Sequence, residues 1–357
     1  MDVTRSNETG VLLHLDDRRW REHLQTVARA TPGLVPVIKG NGYGFGLPRL
    51  AEESTRLGVD TVAAGTAREV AGLREAYAGD IVILQPWDSR NERAVGLLAD
   101  PRVITTVSRL ADLQAIATLG QRPRVLVEVL TSMRRHGLRL DDLAPAAELL
   151  EQVDFLGWTI HLPLLADGRY VEAERLSRAA LAATPGPLWF SHLPADEVAA
   201  LAAQLGGAGA DPIPVRQRVG TRLWLGDEST RTTTATVLDV HPVRRGERAG
   251  YRQRVCPADG WIVVVAGGTS HGIGLEAPTS ASTLRQRGVA FATGSLAAAG
   301  LALSPFTING RKRWFLEPPH MQSSLVFLPR RESPPAVGAE LPVELRLTTA
   351  TVDAIVG

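Results

Sequence analysis

Cysteine is almost missing from this chain of 357 residues, where Cys256 stands alone. A single thiol closes no intrachain disulfide and builds no cysteine-cluster metal site. Long hydrophobic runs are missing too: no apolar stretch reaches the roughly 20 residues of a membrane-spanning helix. The polar, charged opening through Arg21 has no apolar signal core. Charge of one sign is also absent, since the formal net charge is +1. That balance leaves no electrostatic footprint for nucleic acid or an anionic membrane. The expectation is a soluble, cytoplasmic protein with a small-molecule partner. His14, His241 and His271 show no metal-ligand spacing with one another, so no metal site is expected.

The most telling shortage is lysine. Of 39 basic side chains only Lys39 and Lys312 are lysines, so arginine serves wherever a generic cation suffices. Lys312, in Arg311-Lys312-Arg313, reads as a solvated turn residue. Lys39 ends the apolar run Val35-Pro36-Val37-Ile38, and the glycine-rich Gly40-Asn41-Gly42-Tyr43-Gly44-Phe45-Gly46 follows. That is strand, loop and helix start, with a primary amine at the strand's carboxyl end, where α/β folds bind ligands. A desolvated lysine can lose its proton and attack a carbonyl, whereas arginine stays charged. A snorkelling or ion-paired lysine is the plainer alternative. The loop is not a dinucleotide fingerprint: from Gly40, Gly42 and Gly44 the sixth positions are Phe45, Leu47 and Arg49, where glycine is required.

Beyond Lys39 the chain has a rhythm. Short apolar strands are predicted at Leu34–Lys39, Thr61–Ala64, Ile81–Gln85, Val103–Thr106, Arg124–Val129, Phe155–His161, Leu188–Ser191 and Ile213–Val215. Helical segments such as Leu47–Leu57, Leu143–Leu150 and Tyr170–Ala183 alternate with them. Eight such strands predict a (β/α)8 TIM-like barrel. The pattern then changes. Thr232–Val240, Trp261–Ala266, Val289–Ala292, Trp314–Leu316, Ser324–Leu328 and Glu344–Leu347 read as strands, with a short helix at Ala297–Leu303. The expected organisation is a barrel over 1–228 and a β-rich C-terminal domain over 229–357.

Other chemical side chains fall at predicted strand ends. Glu128 closes the fifth strand and precedes Met133-Arg134-Arg135-His136-Gly137. His161 closes the sixth strand. Arg218-Val219-Gly220-Thr221 follows the eighth, where barrels often hold phosphate on backbone N–H groups.

With these residues in view the chain resembles the alanine racemase family, fold type III enzymes that use pyridoxal 5′-phosphate. The stretch from Lys39 to Gly46 resembles that family's Lys-Ala-x-Ala-Tyr-Gly-His-Gly motif, which implies that Lys39 is the Schiff-base lysine and Tyr43 lies near the phosphate. Arg218 to Gly226 resembles the Arg-Pro-Gly segment. It implies Arg218 at the pyridine nitrogen and phosphate N–H groups from Gly220 and Thr221. His161 and Ser191 complete the implied cofactor contacts. Met133 to Gly137 resembles Met-x-Arg-x-Gly, making Arg135 a contact to substrate carboxylate or cofactor. Glu128 stands where relatives place a carbamylated lysine, and is expected to orient Arg135. Arg245 to Tyr251 resembles the stretch with the catalytic tyrosine. Tyr251 would then reach the lysine of another subunit in a homodimer with shared active sites, the two serving as opposed bases.

Some positions depart from the family. His192-Leu193-Pro194-Ala195-Asp196 replaces His-x-Ala-Asn-Ser, so that either Ser191 substitutes for the phosphate-contacting hydroxyl or Asp196 points away as a helix N-cap. Gly268-Thr269-Ser270-His271-Gly272 replaces Gly-Tyr-Ala-Asp-Gly, and Met321-Gln322 replaces Met-Asp near the substrate carboxylate. Asn309 and His320 read as a turn and a surface position, with pocket residues as the alternative. The resemblance therefore implies an amino-acid racemase or epimerase whose substrate need not be alanine. A decarboxylase-like reaction on the same scaffold and a non-catalytic cofactor-binding protein are the alternatives.

Overall fold

The computed structural model describes residues 8–164, 167–207, 211–275 and 302–357. The strand expected at Val289–Ala292 lies outside the described residues, as does 297–301 of the expected helix. The first strand, β1 (Val11–Leu15), precedes a closed parallel barrel. Its staves in order are β2 (Leu34–Ile38), β3 (Thr61–Ala64), β4 (Asp80–Ile83), β5 (Val103–Val107), β6 (Arg124–Val129), β7 (Asp154–His161), β8 (Leu188–Ser191) and β9 (Val215–Val219). Helices such as Leu47–Arg56, Leu143–Leu150 and Arg169–Ala183 connect them.

The staves are β-branched and apolar because both faces are covered. β2, β3, β5 and β8 are buried along their whole length. Val35, Val37, Ala63, Val82, Ile104, Leu126 and Trp189 pack into one cluster, and truncating such a side chain typically costs ~2–5 kcal/mol. Strand alternation then fixes the mouth. Lys39 continues the parity of Val35 and Val37, Glu128 that of Leu126, and Ser191 that of Trp189. Arg216 lies 5.4 Å over the Trp189 ring, so Arg218, two residues on, shares that inward parity.

The eighth stave differs from expectation. It starts at Val215, not Ile213, and holds Arg218 inside the strand rather than after it. Pro212 and Pro214 delay the ladder, since proline offers no N–H. The polar Arg216, Gln217 and Arg218 hide a strand from hydrophobic periodicity.

The chain separates into two compact units, 21–226 and 1–20 with 227–357. The first strand thus sides with the β-rich unit and not with the barrel, contrary to a barrel beginning at residue 1. The reason is pairing: β1 runs antiparallel to β10 (Arg231–Val243), Val11 opposite Ala235. The remaining strands are β11 (Arg248–Ala249), β12 (Arg254–Val255), β13 (Gly260–Ala266), β14 (Leu303–Ile308), β15 (Arg311–Trp314), β16 (Ser323–Pro329), β17 (Glu340–Pro342) and β18 (Ala354–Val356). The main sheet runs β16-β13-β10-β1-β18, with β17 also on β10. Alternate burial along β16 marks a sheet packed on one face, over a core that includes Val237, Val263, Phe306 and Val326.

Two C-terminal expectations fail. No strand forms at Glu344–Leu347, where the N–H groups of Thr349 and Ala350 donate to the Arg346 carbonyl in a turn. The strand expected at Trp314–Leu316 is β15, ending at Trp314. It closes a hairpin with β14 through Asn309-Gly310, both at positive φ, so Lys312 lies on a strand rather than a turn, its Nζ 2.5 Å from Glu344 Oε2. No described helix is long and apolar enough to cross a membrane.

Candidate active site

In the barrel unit, Lys39 leaves β2 at the mouth. Gly65 makes room for it: a Cβ there would lie 2.8 Å from Lys39 Cβ. The Glu69 carboxylate clamps the two neighbouring loops together, accepting from the N–H groups of Gly40 (2.9 Å), Gly65 (2.6 Å) and Thr66 (3.1 Å). Tyr43 is buried at φ 56, a left-handed conformation uncommon for a bulky residue. Its N–H donates to Asn41 Oδ1 at 3.1 Å. Its hydroxyl fits against the bare Gly220, where a Cβ would come within 2.1 Å. Gly220 and Thr221 open the short helix Thr221–Leu225, whose Trp224 Nε1 donates to the Val37 carbonyl and ties it to β2.

His161 and Ser191 are paired neighbours at the ends of β7 and β8. His192 follows at φ 63, its ring 5.1 Å from that of His161 and edge-on to it. Thr131 Oγ1 donates to the His161 carbonyl, and Arg169 to that of His192. Glu128 is buried and accepts from Ser108 Oγ at 2.7 Å. Among the described residues that serine, rather than the expected Arg135, is its hydrogen-bond partner. Arg135 is exposed on the loop after β6, which Gly137 (φ 126) lets fold back on Leu130.

These groups act on one another as a crowd of positive charge. The Lys39 side chain is open to solvent, yet burial of its amine against the barrel, then Arg135, pulls its pKa below the lysine range. Glu69 opposes and Arg218 adds to the fall. Burial first, then Arg218, Arg135, His192 and Lys39, pushes His161 down to about 2. His192 falls by burial and then Arg218. Tyr43 is pushed up to about 12 by burial, so its phenol keeps its proton at neutral pH. Arg218 is buried and pulled to about 10 by desolvation, with Glu128 opposing, and still holds its charge. Its Nε and Nη2 have no hydrogen-bond partner among the described residues. Buried unpaired guanidinium nitrogens are costly. An acceptor atom or anion is the ligand chemistry that relieves them, beside an amine biased toward its neutral form.

In the β-rich unit, Tyr251 sits on the loop joining β11 to β12, 86% exposed. A cavity of about 780 Å³ is lined by Tyr251, Arg252, Thr269, His320, Met321 and Gln322, among others. Met321 and Gln322 are exposed, and their carbonyls accept from the N–H groups of Ser270 and Gly267.

The residues expected at the site thus fall into two groups, each in its own unit. Lys39, Tyr43, Glu128, Arg135, His161, Ser191, Arg218, Gly220 and Thr221 belong to the barrel, Tyr251, Met321 and Gln322 to the β-rich unit. Sequence reasoning missed Glu69, Ser108 and His192 as site groups. It also set His320 aside as a surface position, whereas the structure half-buries it in the cavity beside Tyr251. Asp196 lies in the first turn of Ala195–Gly206 and is not its N-cap, which is Pro194. The available signal for the strained positions was weak. Among the described non-glycine residues at positive φ are Tyr43, Arg134 and His192 at the mouth and Gln253 beside Tyr251, the clustering expected of functional sites.

Known proteins supply a context for this arrangement. The model of the alanine racemase N-terminal domain matches residues 15–187. An alanine racemase of Nitratidesulfovibrio vulgaris (strain DSM 19637 / Miyazaki F) is 26% identical over 272 residues, 70% of this chain and 72% of that protein. Another, from strain DP4, is 28% identical over 297 residues, 76% of this chain and 74% of that one. Among solved structures, the Bartonella henselae alanine racemase with covalently bound pyridoxal phosphate superposes with a TM-score of 0.69 at 16% identity, over 96% of this chain and 94% of that one. That of Clostridium difficile 630 gives 0.67 at 16% identity, over 95% and 87%. With its closed barrel, its β-rich second unit and a family match over residues 15–187, this chain resembles the alanine racemases in sequence across that stretch and in fold.

Proposed function

We propose that the chain is a pyridoxal-phosphate-dependent amino-acid racemase or epimerase, an isomerase that moves the α-proton between two bases, Lys39 and Tyr251. The observation that carries this reading is Arg218, a buried guanidinium with two nitrogens unpartnered among the described residues, in the same electrostatic cluster as the Lys39 amine, whose proton affinity is lowered. Those residues fit the cofactor. When bound, it supplies an electron-withdrawing ring that acidifies the α-carbon of an attached amino acid.

Lys39 is the residue that would hold the cofactor covalently, and its lowered proton affinity suits it both as nucleophile and as base. Arg218 would donate to the ring nitrogen, and a guanidinium does not give up its proton. The ring nitrogen thus stays unprotonated and a weaker electron sink, which favours prompt proton return over decarboxylation, transamination or elimination. Tyr43, Ser191, His161, Gly220 and Thr221 would hold the cofactor's phosphate and ring. Arg135 and Glu128, with Met321 and Gln322, would face the substrate.

Tyr251 would come from a second copy of the chain in a homodimer, and its 86% exposure on a loop supports a role outside its own unit's packing. The departures at Gly268–Gly272 and Gln322 favour a substrate side chain larger than that of alanine. The test is an absorbance scan of the purified protein with pyridoxal phosphate, then a panel of D- and L-amino acids in deuterated water. A visible band and α-deuteration with inversion are expected, and Lys39→Ala removes both. No band, or release of CO2 and amine, overturns the reading.

A further inference from the structure

Glu317 is a carboxylate only 3% exposed within the β-rich unit. It accepts from the N–H groups of Tyr251 and Arg252, both at 2.9 Å, and from His320 Nε2 at 2.6 Å. It lies flush against the loop: at Gly250 (φ 74) a Cβ would sit 2.1 Å from Glu317 Oε1. Desolvation pushes its pKa up, but the Arg252 N–H, the His320 ring and the Tyr251 N–H outweigh that and hold it below the glutamate range. A carboxylate only accepts, so His320 carries a proton on Nε2 and its ring orientation is set. The His320 backbone is also pinned, its N–H donating to the Ser323 carbonyl and its own carbonyl accepting from Thr269 N–H. The ring so fixed packs on Tyr251, with centroids 4.4 Å apart and planes tilted by 49°.

An exposed tyrosine on a loop would otherwise sample several rotamers, and a misplacement of about 1 Å costs a proton transfer on the order of 10²-fold. We propose that His320, braced by Glu317, is a positioning residue that fixes the Tyr251 phenol for proton transfer. This rests on the reading of Tyr251 as the second base. Glu317 fixes the backbone of the loop, and His320 restricts the ring.

The test uses the scarcity of tyrosine. The full chain has four, Tyr43, Tyr77, Tyr170 and Tyr251, so cofactor-free protein labelled with 3-fluorotyrosine gives a short ¹⁹F spectrum in which Tyr251→Phe assigns the signal of interest. In His320→Ala that signal alone should move to the position of a free, exposed tyrosine. With α-deuterated substrates, turnover of His320→Ala should fall about 10- to 100-fold. The isotope effect on kcat/KM should rise for the enantiomer whose α-proton Tyr251 removes, and fall toward unity for its mirror image. His320→Gln, which keeps an N–H for Glu317, should recover part of the turnover. An unmoved Tyr251 signal, or isotope effects unchanged in both directions, overturns the proposal. If the wild type binds no cofactor and turns over no amino acid, the racemase reading fails and the catalytic role of His320 with it, whereas the fluorine signal alone still decides whether His320 orients the ring.

Discussion

The barrel mouth and the Tyr251 loop solve opposite physical problems. At the mouth burial and the charges of Arg135 and Arg218 depress the proton affinity of Lys39, His161 and His192, and buried Arg218 nitrogens go unpartnered among the described residues. Around Tyr251 one buried carboxylate receives three donors, and the phenol stands out into solvent. The first region is incomplete without an anionic or accepting ligand, so it gains free energy by binding. The second is satisfied by its own chain, so it gains little from a ligand and instead holds a group in place. Affinity and geometric control are thereby assigned to different parts of the sequence.

The sharpest way to break that division is to remove one base from each region. Lys39→Ala should abolish the visible band and lower racemisation by at least ~10⁴-fold, since anchor and base are lost together. Tyr251→Phe should lower racemisation by about 10²- to 10⁴-fold and leave the band intact. Spectra and steady-state rates of both variants decide the matter. A Tyr251→Phe protein without the band would show that the loop takes part in binding, and the contrast would collapse.

The two regions were also unequally legible. Lys39, Glu128 and His161 terminate apolar runs, so the barrel's alternation predicted the staves and the strand ends where these side chains stand. Arg218 was found only through a short motif, because Arg216, Gln217 and Arg218 make a strand without hydrophobic periodicity, with the polar Gln217 and Arg218 buried. Glu69 and His192 sit in loops where no pattern announces a carboxylate that caps three N–H groups or a histidine at φ 63. In the β-rich unit Asn309 was read as a turn, but the hairpin that the Asn309-Gly310 pair favours was not drawn from it. The pairing of Glu317 with His320 was not readable at all. Their meaning depends on β11 and β12 bringing Gly250–Gln253 against a loop more than sixty residues away in sequence.

A smaller effect sharpens the same contrast through stability. Pyridoxal phosphate added to the cofactor-free protein at ~100 times its Kd should stabilise it by about 2.7 kcal/mol, and Arg218→Gln should shrink that increment in a thermal-shift assay. Glu317→Gln loses a charged acceptor of three hydrogen bonds, at a cost of about 1.5–3 kcal/mol. It should lower the Tm by the same amount with and without the cofactor. A Glu317→Gln protein whose cofactor increment also shrank would tie the loop to binding.

The smallest effect is a pH dependence, and its sign follows from the direction of each shift. His161 titrates at about 2 in the folded chain against 6.5 for an ordinary histidine, and His192 is shifted the same way. Between those values the unfolded chain binds more protons than the folded one, so stability is complete above pH 6.5 and is lost as pH falls below it. One such site contributes at most ~1.4 kcal/mol per pH unit; solvent at the open mouth screens His161 well below that limit, and His192 further still. Glu317 is lowered from 4.5, so its contribution is complete above pH 4.5 and is lost only on further acidification. Thermal melts of cofactor-free protein from pH 7.5 to 4 should therefore decline in two stages. His161→Gln should flatten the stage between 6.5 and 4.5 and leave the later fall in place. A first stage unchanged in that variant would mean that the mouth histidines do not stay neutral on folding, and that the positive crowd around Arg218 is weaker than its geometry demands.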